Sequence, residues 1–278
     1  MPVTKPTLLY LTDLYFEAKG RRYYEEDLYL TGRLREDFNL VLCHPCDSQP
    51  FEQSVDLIVF RNTGPVLQYQ AYFTAFVERV AAQKLRTYNT MTGRGDQAGK
   101  GYLMALTQQD YPVIPSIEQA ADLFRLPPAE RYMVKPKDGA DSIGLRVVSR
   151  AELATLDWQG QLAQPFIDFR YEVSFYYIDQ QLQYALYAPD TRQRWQLEEY
   201  DPTPADIAFA NQFIAWNTVA HGIQRVDACR TAQGDLLLVE LEDLNPYLSL
   251  DLLSPARREA FVRSFKHSLH SAISAKTR

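Results

Sequence analysis

Three short segments near the N-terminus, Leu8 to Leu11, Leu40 to Cys43 and Asp56 to Phe60, constrain the fold of this chain more than any other feature of its sequence. Each is almost wholly apolar and too brief for a helix, which is the pattern of a strand buried on both faces. Between the first two, Tyr23 to Phe38 has helical spacing with many charges. After the third, residues 66–84 repeat Leu67, Tyr72, Phe73, Phe76, Val77 and Val80 at the same period. Strands joined through helices run parallel, because a tight turn only reverses the chain. The turn-rich Arg61-Asn62-Thr63-Gly64-Pro65 ends the third strand, and Thr87-Tyr88-Asn89 follows the second helix. Residues 1–88 are therefore expected to form one small α/β unit.

The rest of the chain reads differently. A glycine-rich stretch, Thr92-Gly93-Arg94-Gly95-Asp96-Gln97-Ala98-Gly99-Lys100, enters the helix-like Gly101 to Leu106. It is not a P-loop: the interval from Gly95 to Lys100 is wrong, and Gly101 stands where a hydroxyl would hold magnesium. Pro112-Val113-Ile114-Pro115 cannot continue the helix. Beyond residue 131, strands are expected at Tyr132 to Pro136, Leu145 to Val148, Gln161 to Phe166, Tyr171 to Ile178, Gln181 to Ala188, Ile223 to Arg230 and Asp235 to Glu242. Hairpins fall at Asp179-Gln180 and around Thr231 to Gly234, and helices at Asp206 to Ala220 and from about Pro255 onward. The fold class is α/β, then α+β with a long antiparallel sheet.

At 278 residues the chain suits two or three subdomains sharing a cleft. With 29 Lys+Arg against 35 Asp+Glu, a net charge of −6 and no basic run, neither nucleic acid nor an anionic membrane is expected as a partner. No apolar run approaches the roughly 18 residues of a membrane helix, and Asp13 interrupts the N-terminal stretch, so a cytoplasmic protein is expected. Three cysteines are too few for a disulfide framework. Cys43-His44-Pro45-Cys46 matches C-x-x-C, but it follows a strand and runs into the loop Asp47 to Pro50, so it reads as a strand end. His267 and His270 supply no second ligand pair for zinc and are expected to face solvent.

Two segments carry more polar chemistry than a sheet normally tolerates. Val134-Lys135-Pro136 ends a strand and opens the loop Lys137 to Gly144, whose glycines at 139 and 144 free the backbone to turn N–H groups onto an anion beside a fixed charge. That suits a triphosphate, and equally an ordinary turn with an exposed lysine. The second is Arg225-Val226-Asp227 followed by Glu240-Leu241-Glu242-Asp243-Leu244-Asn245-Pro246. Period-2 alternation puts Glu240 and Glu242 on one face and Val239 and Leu241 on the other, and hairpin pairing brings Asp227 beside the acids. Converging carboxylates repel unless a cation neutralises them, and hard oxygen ligands select magnesium or manganese. A merely solvated sheet face is a weaker reading, because the acids interrupt the apolar Leu236 to Val239.

These segments occur in a telling order: Lys100-Gly101-Tyr102-Leu103, Pro112 to Pro115, Val134-Lys135-Pro136, Gln164-Pro165-Phe166-Ile167, Glu172-Val173-Ser174, Arg225-Val226-Asp227 and Glu242 to Pro246. Over roughly residues 90–255 the chain resembles the ATP-grasp superfamily of carboxylate–amine ligases. It is most similar to the glutathione-synthetase-like and cycloserine-synthetase-like branch, whose late strand has a similar E-L-E-x-x-[EN]-P run. The resemblance implies an ATP-grasp fold: an N-terminal α/β domain (1–88), a central lid subdomain (89–168) and a C-terminal subdomain with the metal site (169–278), the last two clasping ATP. It implies that Lys100 and Lys135 reach the phosphates and that the 137–144 loop, with Gly139, Ser142 and Gly144, closes over them. Gln164, Phe166 and Ile167 would read adenine and Glu172 the ribose. Asp227, Glu242 and Asn245 would hold magnesium, with Arg225 facing the transferred phosphoryl group.

The family spaces its last two metal ligands as E-x-N, whereas Glu242 and Asn245 are three apart. Either a bulge restores the geometry, or Glu240 or Asp243 shares the duty. Arg192 and Arg194 are both candidates for a substrate- or phosphate-binding arginine, and Arg61, Asn62 and Arg192 read either as carboxylate binders or as surface turn residues. The implied activity is an ATP- and Mg²⁺- (or Mn²⁺-) dependent ligase joining a small carboxylic acid, such as an amino acid or short peptide, to an amine through an acyl phosphate, with release of ADP and phosphate. Its partners would be small molecules, and a homo-oligomer accords with relatives that form dimers or tetramers. The rivals are a non-catalytic nucleotide-binding regulator of the same fold and a phosphotransferase that never ligates.

Overall fold

The computed structural model describes residues 5–18, 21–61, 64, 66–137, 144–194 and 196–275. The chain opens with β1 (Thr7–Leu11), a two-residue ribbon of β2 (Glu17–Ala18) and β3 (Arg21–Arg22), then α1 (Tyr24–Leu34), β4 (Asn39–Cys43), β5 (Leu57–Phe60), α2 (Gln70–Gln83) and β6 (Thr87–Tyr88). Strands β4, β1, β5 and β6 form, in that order, a sheet in which every pair is parallel. Its strands are apolar on both sides because both sides are covered. Leu9, Leu11, Ile58 and Phe60 pack under Phe73 and Phe76 of α2, while Leu8, Tyr10, Leu57 and Val59 face the central core.

After α3 (Tyr102–Gln108), a three-stranded antiparallel sheet is built from β7 (Tyr132–Pro136), β8 (Arg146–Val148) and β9 (Gln161–Pro165), with α4 (Arg150–Ala154) between β8 and β9. A five-stranded antiparallel sheet follows, made of β10 (Phe169–Ile178), β11 (Gln181–Ala188), β12 (Glu198–Tyr200), β13 (Ile223–Thr231) and β14 (Leu236–Glu242) in the order β12-β11-β10-β13-β14. Asp179 takes a left-handed conformation at the expected hairpin, and Gly234 does so at the other.

Helix α5 (Pro204–Trp216) starts at a capping box of Thr203 and Asp206 with Pro204 in its first turn, which satisfies N–H groups that a helix end leaves bare. The helix stops at Trp216, four residues short of the expected Ala220. Asn217 takes an extended backbone, and its side chain serves Gln224 and Asp243. Helices α3 and α5 cover one face of the five-stranded sheet, with Leu103, Leu106, Phe209 and Phe213 packed on Phe175, Val226, Leu238 and Leu241. The last helix, α6 (Pro255–Ser274), lies in one core with both the other face of that sheet and the N-terminal sheet. His267 and His270 are exposed on it. No helix among the described residues is long and apolar enough to cross a membrane.

Candidate active site

The site is written into the pairing of β13 with β14. Arg225 stands opposite Glu242 and Asp227 opposite Glu240, and the register then slips so that Ala228 faces Leu238. Val239 is the extra residue of a β-bulge. The slip resets the alternation: Leu236, Leu238 and Leu241 are all buried, and Leu238 rather than Val239 takes the inward position before Leu241. Glu240 and Glu242 thus share a face with Asp227, and one carboxylate oxygen from each of the three lies within 4.8 Å of the others. Glu172, Ser174 and Tyr176 alternate onto that face from β10, where Ser174 pairs with Asp227 and Tyr176 with Arg225.

Three acids this close need cationic company. The Ser174 hydroxyl donates to Asp227 at 2.6 Å, and Arg225 donates to Asp227 through Nε (2.9 Å) and Nη2 (2.8 Å) and to Glu242 through Nη2 (2.5 Å). Burial works against the Arg225 charge, but Asp227 and Glu242 outweigh it and hold the guanidinium protonated. An all-oxygen donor set of three carboxylates fits Mg²⁺.

Across from the acids stands Lys135, near the end of β7. Burial pushes its ammonium down to about 8. Glu240 and Glu172 act to raise it, while Lys100 and Arg194 act to lower it. Residues from four distant segments therefore lie within electrostatic reach of one nitrogen. Glu172 grips Arg194 with two hydrogen bonds of 2.6 and 2.5 Å. Arg192 is not brought in: its side chain is 88% exposed and paired with Asp190 on the same turn. Gln164 is buried and donates to the Ser116 hydroxyl at 2.7 Å, next to Phe166, whose ring lies 4.1 Å from the Arg131 guanidinium carbon, and the half-buried Ile167. Gly144 has φ +78°, and a Cβ there would approach Pro136 Cγ at 3.0 Å. Gly139, Ser142 and Asn62 lie outside the described residues.

Two expectations are corrected. Asp243 is not available to a metal. It is wholly buried and accepts from the Gly95 N–H (2.8 Å), the Gln97 N–H (2.9 Å) and the Asn217 amide (2.8 Å). The carboxylates that do converge with Asp227 are Glu240 and Glu242, two residues apart on β14, and Asn245 lies in the loop beyond the strand. Arg61 is neither a surface turn residue nor open to a carboxylate substrate: it is fully buried against Glu26. The C-x-x-C thiols are also unsuited to redox chemistry, since burial and nearby acids push Cys43 up to about 11 and raise Cys46 as well.

Sequence reasoning missed the brace behind the site. Asp96 accepts from the Asp243 N–H (2.6 Å) and the Leu244 N–H (2.9 Å), and burial together with Asp243 raises its carboxyl well above the usual range. Asn89 binds the Ile223 backbone and the Asp243 carbonyl. A Cβ on Gly95 would meet the Leu241 carbonyl oxygen at 2.7 Å. Gly93 and Gly95 therefore let the chain press against the end of β14, just ahead of Lys100. Only those glycines could have signalled this.

No family model and no curated protein sequence matches the chain. Solved structures do. D-cycloserine synthetase DcsG aligns with a TM-score of 0.73 at 21% identity, over 96% of this chain and 100% of that one. D-alanine–D-alanine ligase from Bacillus anthracis in complex with ATP aligns at 0.63 and 13%, over 97% and 96%. ATP-grasp ligase PsnB with its minimal precursor aligns at 0.63 and 14%, over 95% and 99%. The chain has the ATP-grasp fold. Within this ATP-grasp fold, Lys135 of the three-stranded sheet lies within electrostatic reach of Glu172 and Glu240 of the five-stranded one, and the charged face between them is the candidate active site.

Proposed function

We propose that this chain is an ATP- and magnesium-dependent ligase that activates a small carboxylic acid as an acyl phosphate and joins it to an amine. The observation that carries the reading is the convergence of Asp227, Glu240 and Glu242 around Arg225, opposite Lys135 and Lys100. The solved neighbours agree in kind: one ligase was captured with ATP, PsnB with Mg and ADP, and macrocyclase MdnC from Microcystis aeruginosa with a precursor peptide. In this reading Asp227, Glu240 and Glu242, with the Asn245 amide oxygen from the loop, hold the metal. Bound there, Mg²⁺ supplies charge neutralisation at the phosphates.

The chain's own residues do the positioning. Phosphoryl transfer needs little covalent help and much placement and charge. Lys135 and Lys100 fix the phosphate oxygens, and Arg225, held at the acids and at the Tyr247 carbonyl (3.0 Å), meets charge developing on the transferred group. Arg194, oriented by Glu172, borders the same space, which supports a role for Glu172 at the rim of a bound nucleotide. Phosphorylation makes a carboxylate oxygen a leaving group that an amine can displace. Products test this directly. With the right acid, the protein should release ADP and phosphate, and hydroxylamine should trap the acyl phosphate as a hydroxamate. Acid-dependent AMP and pyrophosphate would sink the mechanism, and ADP without hydroxamate or amide for any acid would favour a phosphotransferase.

Lys135 adds a pH signature. Its folded pKa, about 8, lies below the ordinary 10.5, so it loses its charge as pH rises through 8. ATP affinity should therefore fall up to about tenfold between pH 7 and pH 9. In Lys135→Arg that slope should vanish, since arginine stays charged. An unchanged slope in the variant would remove Lys135 from nucleotide binding.

A further inference from the structure

Glu26, in the first turn of α1, and Arg61, just past β5, form a buried pair that the proposed chemistry does not use: their side chains are 4% and 0% exposed. Withdrawing two charges from water is costly unless their hydrogen-bonding capacity is used. Here it is used on one segment. Glu26 accepts from the Leu248 N–H (3.0 Å) and the Leu250 N–H (3.2 Å), and Arg61 Nη2 donates to the Pro246 carbonyl (3.0 Å) as well as to Glu26 (3.3 Å). Residues 243–249 belong to no strand or helix, so side chains have to set their path. The same segment gives its Tyr247 carbonyl to Arg225, which holds Asp227 and Glu242, and its Leu248 carbonyl to the Tyr184 hydroxyl (2.7 Å).

The pair is not optimised for stability. Arg61 Nε and Nη1 are buried with no hydrogen-bond partner among the described residues, and Asp27 lies 4.0 Å from Nε. A buried pair with donors left over adds little stability over an apolar filling, which points to a role in fixing geometry. We propose that Glu26 and Arg61 are positioning residues of the metal site. Lying 222 and 185 positions away in sequence from the residues they hold, they clamp the loop that carries Asn245 and seats Arg225. The inference rests on the proposed metal and nucleotide site.

Glu26→Gln tests it, because glutamine keeps the volume but offers one acceptor oxygen where the carboxylate offers two. The readouts are amide exchange at Leu248 and Leu250 and the Mg²⁺ concentration that half-saturates binding of a fluorescent ATP analogue. Exchange should speed up and the Mg²⁺ midpoint should rise about tenfold, the scale seen when groups that orient metal ligands are removed. Glu52→Gln is the control. Glu52 is an equally buried N-terminal acid, paired with Arg79 at 2.8 Å, and its loss should lower stability without moving the midpoint. If Glu26→Gln does not fold, Arg61→Lys, which keeps the charge but cannot span both Glu26 and the Pro246 carbonyl, is read the same way. A normal midpoint despite faster exchange overturns this inference alone. A wild-type protein without Mg²⁺-dependent nucleotide binding overturns the proposed function, and the inference with it.

Discussion

Asp227→Asn, Glu240→Gln and Glu242→Gln should each reduce Mg²⁺-dependent ATP turnover by at least about a thousandfold, with the thermal midpoint within a few degrees of wild type. Each change swaps a carboxylate of the proposed metal site for a neutral amide of the same shape, so packing is kept while the negative charge is lost. Loss of Glu242 also frees Arg225 to bind Asp227 alone, which leaves the remaining acids more fully neutralised by protein. ADP release across a Mg²⁺ titration, with melting curves, checks the set. The Glu240 variant is the most informative. Near-wild-type turnover there would shift the ligand pair to Glu242 and Asn245 and refute the metal set drawn from the bulged strand.

Asp243→Asn should behave in the opposite way, costing roughly 1–3 kcal/mol of stability before any effect on chemistry is seen. The carboxylate accepts from two backbone N–H groups and the Asn217 amide in complete burial. An asparagine offers one oxygen and turns its NH₂ toward a donor, leaving buried groups unmatched. Gly95→Ala should match it, since its Cβ would meet the Leu241 carbonyl oxygen at 2.7 Å and the Asp243 carboxylate carbon at 2.9 Å. Urea unfolding measures both. A cost below about 1 kcal/mol would mean that the 93–97 turn is not braced on Asp243.

Much of the architecture was legible because it rests on local patterns. Unbroken apolar runs announced the parallel sheet, alternation announced the antiparallel one, and the grouping of Asp227 with Glu240 and Glu242 followed from period 2 and a hairpin. What escaped depends on partners far along the chain. Nothing local to Arg61 tells a turn residue from a buried one; Glu26, 35 positions away, and Pro246 decide it. The short β12 is a strand only because β11 lies beside it. Asp243 looks like a metal ligand by spacing, and only Gly95, Gln97 and Asn217 show that its oxygens are spent elsewhere. The bulge at Val239 leaves no trace in composition, because Leu238 and Val239 are equally apolar.

The position of α6 bears on how the protein comes into being. Phe261, Phe265 and Leu269 fill the space against Leu8, Tyr10 and Phe38, so β1 is packed by a helix far along the chain. Leu30 and Leu34 of α1 lie in the same cluster, so α6 shares the covering of that face with a helix of the N-terminal unit. That core is therefore complete only once contacts of long sequence separation have formed, which are the contacts that make folding slow.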